Sequence, residues 1–270
     1  MAKRLTRFRV LTFDCYGTLI DWEQGIANAL EPLFRRNGAG RRDPAGSDPA
    51  SGTDRAAALR AFARFEGRHE RENPGLRYPD LLQRVHHDLA GSLGLETTPA
   101  LDTAFGASVP RWPAFPDSAE ALRVLKRHFR LVILSNVHRE GIAASIERLG
   151  VGFDAVYTAE EIGSYKPADA NFAYLLERLR RDFGFGRSDV LHTAQSLHHD
   201  HVPANRFGLA SAWIDRQRQS EGGSSAATAP VREMPRLDFV FFSLAEMAAA
   251  ALAERDQTRR PDPTTRPHRR

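Results

Sequence analysis

The chain has 270 residues, which suits one large domain or two modest ones. With 41% hydrophobic and 27% charged residues it has the balance of an ordinary globular protein. No run approaches the ~18 uninterrupted apolar residues of a membrane span. The single cysteine, Cys15, excludes an internal disulfide framework and a multi-cysteine zinc site.

The net charge of +4 is unevenly placed. Residues 1–9 carry +4 and residues 255–270 another +4, so the body from 10 to 254 is −4. Basicity confined to the tails, with no basic stripe interleaved with aromatics, argues against a nucleic-acid surface. Met1-Ala2-Lys3-Arg4 runs into a strand-like segment with no apolar signal region, which predicts a cytoplasmic protein. Lysine occurs only at 3, 126 and 166, so each interior lysine draws notice.

In chain order, Phe8–Phe13 reads as a buried strand. From Asp21 to about Phe115 helical patterning follows (21–36, 55–72, 78–93, 99–108) with no convincing strand, and Pro110, Pro113 and Pro116 mark the return. Strands at Leu131–Leu134, Val190–Thr193 and Ser211–Ile214, with weaker ones at Asp154–Thr158 and Leu237–Phe242, then alternate with helices at 117–128, 139–149, 168–183, 200–207 and 243–254. Such alternation predicts βαβ units: an α/β fold, a Rossmann-like parallel sheet with helices on both faces, interrupted by a helical insertion after the first strand. The expected division is a core of 1–20 and 116–254, a helical cap of 21–115 with a mobile loop at 37–53, and a disordered basic tail at 255–270. A second loop is expected at 221–230 (EGGSSAATAP).

The chemistry gathers where strands end. Val10-Leu11-Thr12-Phe13-Asp14-Cys15-Tyr16-Gly17-Thr18 places a carboxylate directly after an apolar strand and before a glycine turn. An Asp there also suits a helix N-cap, so it does not stand alone. Leu131-Val132-Ile133-Leu134-Ser135-Asn136 ends a strand in two hydrogen-bonding side chains. Gly163-Ser164-Tyr165-Lys166-Pro167 holds a lysine ahead of a helix. His192 to Asp200 (HTAQSLHHD) follows the fourth strand and ends in a carboxylate.

In that order the four segments resemble the haloacid dehalogenase superfamily of Asp-nucleophile hydrolases, over roughly residues 8–252. Its phosphatases carry a second Asp two residues after the nucleophile, and an acid pair completes a magnesium site. Here those positions are Tyr16 and Ser196. Asp-x-Tyr-Gly-Thr-Leu, with SNV, GSYKP and AQSLHHD, instead resembles the type II L-2-haloacid dehalogenases, which work without metal or cofactor.

The resemblance implies metal-independent hydrolysis of small (S)-2-haloacids to 2-hydroxy acids through an ester on Asp14. In it Lys166 keeps Asp14 ionised, Thr18 hydrogen-bonds it, and Asp200 positions the hydrolytic water. Ser135 and Asn136 orient the substrate carboxylate and the departing halide, and Tyr16 lines the pocket, with Trp22 either closing its apolar side or packing in the core. These enzymes usually add a cap arginine, for which Arg60 and then Arg64 are the nearest candidates. Phe172 stands where they commonly have tyrosine. The implied partner is a small anionic 2-haloacid, with no nucleic acid and no membrane, and a homodimer stays open. Alternatives are a phosphatase or other small-acid hydrolase on the same nucleophile, or a non-catalytic relative. His198, His199 and His201 sit on one loop, where adjacent side chains diverge, so no metal cluster is expected there. Cys15 is expected to face the packing opposite Asp14.

Overall fold

The computed structural model describes residues 3–38, 52–223 and 231–259. Thirteen residues of the expected loop at 37–53, most of the loop at 221–230 and the tail beyond 259 lie outside that range.

Strand β1 (Val10–Phe13) is followed by helices α1 (Trp22–Arg36), α2 (Gly52–Glu72), α3 (Tyr78–Ser92) and α4 (Pro99–Gly106). Then come α5 (Ser118–Lys126), β2 (Arg130–Ser135), α6 (Arg139–Leu149), β3 (Ala155–Thr158), α7 (Ala159–Ile162) and α8 (Asp169–Phe183). The chain continues through β4 (Val190–Ala194), a π-helical turn (Leu197–His201), α9 (Val202–Arg206), β5 (Ala210–Ile214), β6 (Phe239–Phe241) and α10 (Leu244–Arg259). The six strands form one parallel sheet in the order β3-β2-β1-β4-β5-β6. This is the Rossmann-like α/β architecture that the strand–helix alternation predicts.

All four residues of β1 are buried, as expected of a parallel strand covered on both faces. Period-two alternation sends them into two apolar layers. Leu11 and Phe13 join Leu131, Ile133 and the α5 and α10 side, while Val10 joins Val132, Leu134, Phe172 and Leu175 of the α8 side. Thr12 is on the second face, where its Oγ1 lies 2.9 Å from Nδ1 of His192, its register partner on β4. Asp14, two residues on, therefore leaves the strand on the same side. The connection from β1 runs to β2 on one flank while the later strands add on the other, so the sheet's switch point lies between β1 and β4, where ligands gather at the carboxyl edge of such sheets.

The helical insertion packs through Phe62, Leu81, Leu82, Val85, Leu89 and Phe105, in the same apolar cluster as Leu11, Phe13 and Ile133 of the sheet. The two chain segments that lead into and out of it are hydrogen-bonded to each other: Asp21 N donates to Pro113 O (2.8 Å) and Phe115 N to Leu19 O (3.1 Å). Asp21 also caps α1 by accepting from Gln24 N (3.0 Å). Gly25 of α1 lies against Trp112, so closely that a Cβ would overlap the indole.

Three local differences from the sequence reading have physical causes. The helix expected at 200–207 starts earlier, as the π-helical turn, because the Ser196 side chain accepts from His199 N (3.1 Å) and caps it. The four-residue α7 is too short to show a periodicity. Helix α10 runs to Arg259, into the stretch expected to be disordered. At its extension the Arg255 guanidinium packs 5.4 Å over the Phe129 ring and donates to His128 O.

Candidate active site

Side chains from β1, β2, β4 and the loop before α8 meet at the carboxyl edge of the sheet. Asp14 follows β1 directly, and Gly17, at φ +93°, turns the chain away behind it. In that turn Thr18 Oγ1 donates to Asp14 Oδ2 (2.8 Å) and accepts from Gln195 N (3.0 Å), which ties β1's loop to β4's. Arg216 adds a second tie, donating to Thr18 O through two nitrogens (2.7 and 3.0 Å).

Lys166 is 1% exposed, and its ammonium reaches three oxygens: Asp14 Oδ1 (2.9 Å), Asp200 Oδ1 (2.7 Å) and Leu134 O (3.0 Å). Asp200 Oδ1 also lies 3.0 Å from His192 Nε2, so Thr12, His192, Asp200, Lys166 and Asp14 form one buried chain of polar contacts. A lysine this deep is tolerable only because both carboxylates neutralise it. Burial alone would lower it; Asp14 and then Asp200 outweigh burial and hold Lys166 above its ordinary value. Burial pushes Asp14 up, and Lys166 opposes the rise. For Asp200 burial also pushes upward, but Lys166 and the His192 hydrogen bond win and hold it below the usual carboxylate range.

Above this floor lies a cavity of about 80 Å³. Its walls include Asp14, Tyr16, Trp22, Ser135, Lys166 and Asp200, together with Trp112 and Gln195. Of the buried side-chain oxygens with no protein partner, two, Ser135 Oγ and Asp200 Oδ2, belong to residues that line the cavity. Buried polar atoms are almost always paired, so these two are free to take a partner from the cavity. Tyr16 is packed edge-on to Trp112 (5.4 Å between centroids), its hydroxyl 3.0 Å from Ser145 Oγ, and burial pushes its phenol well above 10. Cys15 is fully buried with its thiol pushed up by burial and then by Asp14, and it lies in the apolar layer away from the cavity.

Two expected roles do not match the placement. Arg60 and Arg64 are exposed on α2 and do not line the cavity. Successive residues turn about 100° around a helix, so positions two before the inward-facing Phe62 and Glu66 point away. What α2 sends inward is acid: Glu66 and Glu70 both line the cavity. Asn136 lines it too, but its amide is already spent. Oδ1 accepts from Lys166 N (2.6 Å), while Nδ2 donates to Lys166 O and to Glu70 Oε1 (3.0 Å each). Asn136 thus clamps the lysine loop and leaves no free donor for a halide.

The sequence reading gave no role to Glu66, Glu70, Tyr78 or His192. The signal for the two glutamates was present: they fall one turn apart on the face of α2 that carries Phe62. His192 is likewise a polar, titratable residue inside a fully buried strand. Phe172 packs edge-on to His192 at 5.1 Å and belongs to the apolar layer under the site. Of the three loop histidines, His201 turns away while His198 and His199 stay in ring contact, so the expected divergence is only partial. His201 Nε2 reaches Ala194 O (2.9 Å), His199 lies by Ser196 at the cavity, and His198 packs edge-on to His199.

A parallel sheet with its buried polar centre at the carboxyl edge of the middle strand defines a Rossmann-like α/β protein whose site lies at the switch point. The chain belongs to the haloacid dehalogenase-like hydrolases, the family that matches residues 8–192. Its structure is similar to the L-2-haloacid dehalogenase of Xanthobacter autotrophicus with chloropropionic acid covalently bound (18% identity, TM-score 0.69, covering 90% of this chain and 97% of that one). It is similar to a HAD hydrolase of Bacillus subtilis bound to magnesium (20% identity, TM-score 0.69, covering 91% and 99%). A sequence relative is the ribulose-1,5-bisphosphate 5-phosphatase of Halopiger xanaduensis, 30% identical over 128 residues. That match spans about half of each protein, 46% of this chain and 52% of the phosphatase.

Magnesium demands a near-octahedral set of oxygen donors. Here Oδ1 of both Asp14 and Asp200 faces the Lys166 ammonium, and a tyrosine that stays protonated occupies the second position after Asp14. Among the described residues no group of three or more His, Cys, Asp or Glu side chains is arranged to hold a metal ion. The residues do not fit a magnesium centre.

Proposed function

We propose that this hydrolase removes halide from small (S)-2-haloacids without metal, through an ester on Asp14, with the helical insertion 21–115 as the cap that closes over the substrate. The observation that carries the reading is the Lys166 ammonium bridging Asp14 and Asp200, because it supplies within the chain the positive charge that a metal supplies elsewhere.

An Asp14 carboxylate oxygen attacks C2, a C–O bond forms, and the carbon–halogen bond breaks with its electron pair leaving on the halide. No proton is needed by the leaving group, which suits a site with Tyr16 where an acid/base carboxylate would stand. Water then attacks Cγ of the Asp14 ester, breaking its acyl C–O bond, which releases the 2-hydroxy acid, its C2 already inverted by the displacement, and restores the carboxylate. Asp200 Oδ2, buried and unpartnered, is the oxygen that orients this water and takes its proton. Ser135 Oγ, the unpartnered hydroxyl beside Lys166, donates to the substrate carboxylate. The apolar rings of Trp22 and Trp112 keep bulk water from the displacement step.

The test is chloride release from (S)-2-chloropropionate in excess EDTA, comparing wild type with Asp14→Asn. Release that survives EDTA and falls by about a thousandfold or more in the variant supports the reading. The phosphatase relative supplies the competing outcome: no chloride, but magnesium-dependent phosphate release from small phosphoesters, would replace it.

A further inference from the structure

The cavity has two chemically opposite ends. At the floor stand the Lys166 ammonium and the unpartnered Ser135 hydroxyl. At the roof α2 presents Glu66 and Glu70. Glu66 Oε1 accepts from the Tyr78 hydroxyl (2.5 Å) and Glu70 Oε1 from Asn136 Nδ2 (3.0 Å), which fixes both carboxyls in place. Glu70 Oε2 lies 3.8 Å from His199 Nε2, beyond a hydrogen bond, and Glu66 Oε2 has no partner among the described residues. Among the described residues no arginine lines the cavity, and Lys166 is the one lysine that does. Burial pushes His199 down to about 4, so the imidazole is neutral and brings no charge to the pair. The floor's two carboxylates and one ammonium already sum to one negative charge.

Such a roof is the wrong receptor for a second carboxylate and a fitted one for a cation. We propose that Glu66 and Glu70 are the specificity-determining residues of this site and bind a protonated amino group, so that the preferred ligand is a small zwitterionic acid. Its carboxylate would accept from the free Ser135 hydroxyl beside Lys166, and its ammonium would sit between the two Oε2 atoms. Burial pushes Glu66 up to about 7, and burial and then the neighbouring Glu66 push Glu70 well above the carboxylate range, more than Lys166 and Arg71 offset. That is the condition a bound ammonium would relieve.

The inference deepens the dehalogenase reading but can be tested apart from it. Titration calorimetry on the wild-type protein compares 3-aminopropionate with propionate, neither of which carries a leaving group. The amino acid should bind about tenfold or more tightly, as one charge-assisted hydrogen bond allows. Glu66→Gln and Glu70→Gln, each checked for an unchanged circular dichroism spectrum, should each shrink that preference. Equal affinity, tighter propionate, or no detectable binding of either in wild type overturns the proposal without recourse to any variant. Chloride release from 3-amino-2-chloropropionate and 2-chloropropionate is measured alongside. Glutamate-dependent binding of 3-aminopropionate with no chloride from either compound supports the receptor and removes the dehalogenase reading. Chloride from both at similar kcat/KM, unaffected by the glutamine variants, does the reverse.

Discussion

Replacing Lys166 by Met is the most direct probe of the site's electrostatics. The substitution keeps an unbranched chain of similar length but removes the ammonium from between Asp14 Oδ1 and Asp200 Oδ1, at 2.9 and 2.7 Å. Two carboxylates, 6% and 1% exposed, are then left without their shared cation. Stranding a buried charge by deleting its partner costs about 3–5 kcal/mol. For a protein of this size about 2–4 °C of melting temperature accompanies each kcal/mol, so Tm should fall by about 6–20 °C. The same deletion leaves burial and Asp200 to push Asp14 further upward, so a smaller share of its carboxyl is ionised at a given pH. Halide release should fall by about 10²-fold or more, the scale on which one preorganised electrostatic partner is removed. Adding Asp14→Asn to Lys166→Met should recover part of the lost stability, because one of the two stranded charges is gone. Calorimetric melts and chloride assays on the three proteins read all of this. A single variant within about 2 °C of wild type and within about tenfold in rate would refute the argument, since no buried charge can be left unpaired so cheaply.

Other consequences reach beyond Lys166. His201 is fully buried and burial lowers it to about 4, so below its ordinary pKa of 6.5 the unfolded chain takes a proton that the folded chain refuses. Stability should therefore drop by about 3 kcal/mol as pH falls from about 6.5 to about 4. His201→Gln should lose that component of the slope in urea melts, and a variant that keeps the whole wild-type slope contradicts it. Gly25→Ala should cost about 1–3 kcal/mol in urea unfolding, because its methyl would meet the Trp112 indole that also walls the cavity. A Gly25→Ala variant as stable as wild type would mean that Trp112 swings aside freely.

The linear chain already specified the sheet and the inventory of its chemistry. Apolar runs at 8–13, 131–134, 190–193 and 211–214 are legible because a parallel strand buried on both faces must be apolar throughout, and the polar residues that end them stand out by contrast. The segments holding Asp14, Thr18, Ser135, Lys166 and Asp200 were readable for that reason. The order of the motifs, with Tyr16 as the departure from the phosphatase pattern, brought out the family resemblance. Folding settled which of these side chains are free to act. Asn136 looked available and is used up by the backbone of Lys166, a contact between residues 30 apart in the chain. Arg60 and Arg64 looked like cap cations and point outward, because a difference in helix phase is invisible until the helix docks. Glu66 and Glu70 read as ordinary helix acids until docking brought them over the cavity that holds Asp14. A residue's type follows from the sequence, but its protonation and its role follow from how much water and which counter-charge the fold leaves beside it.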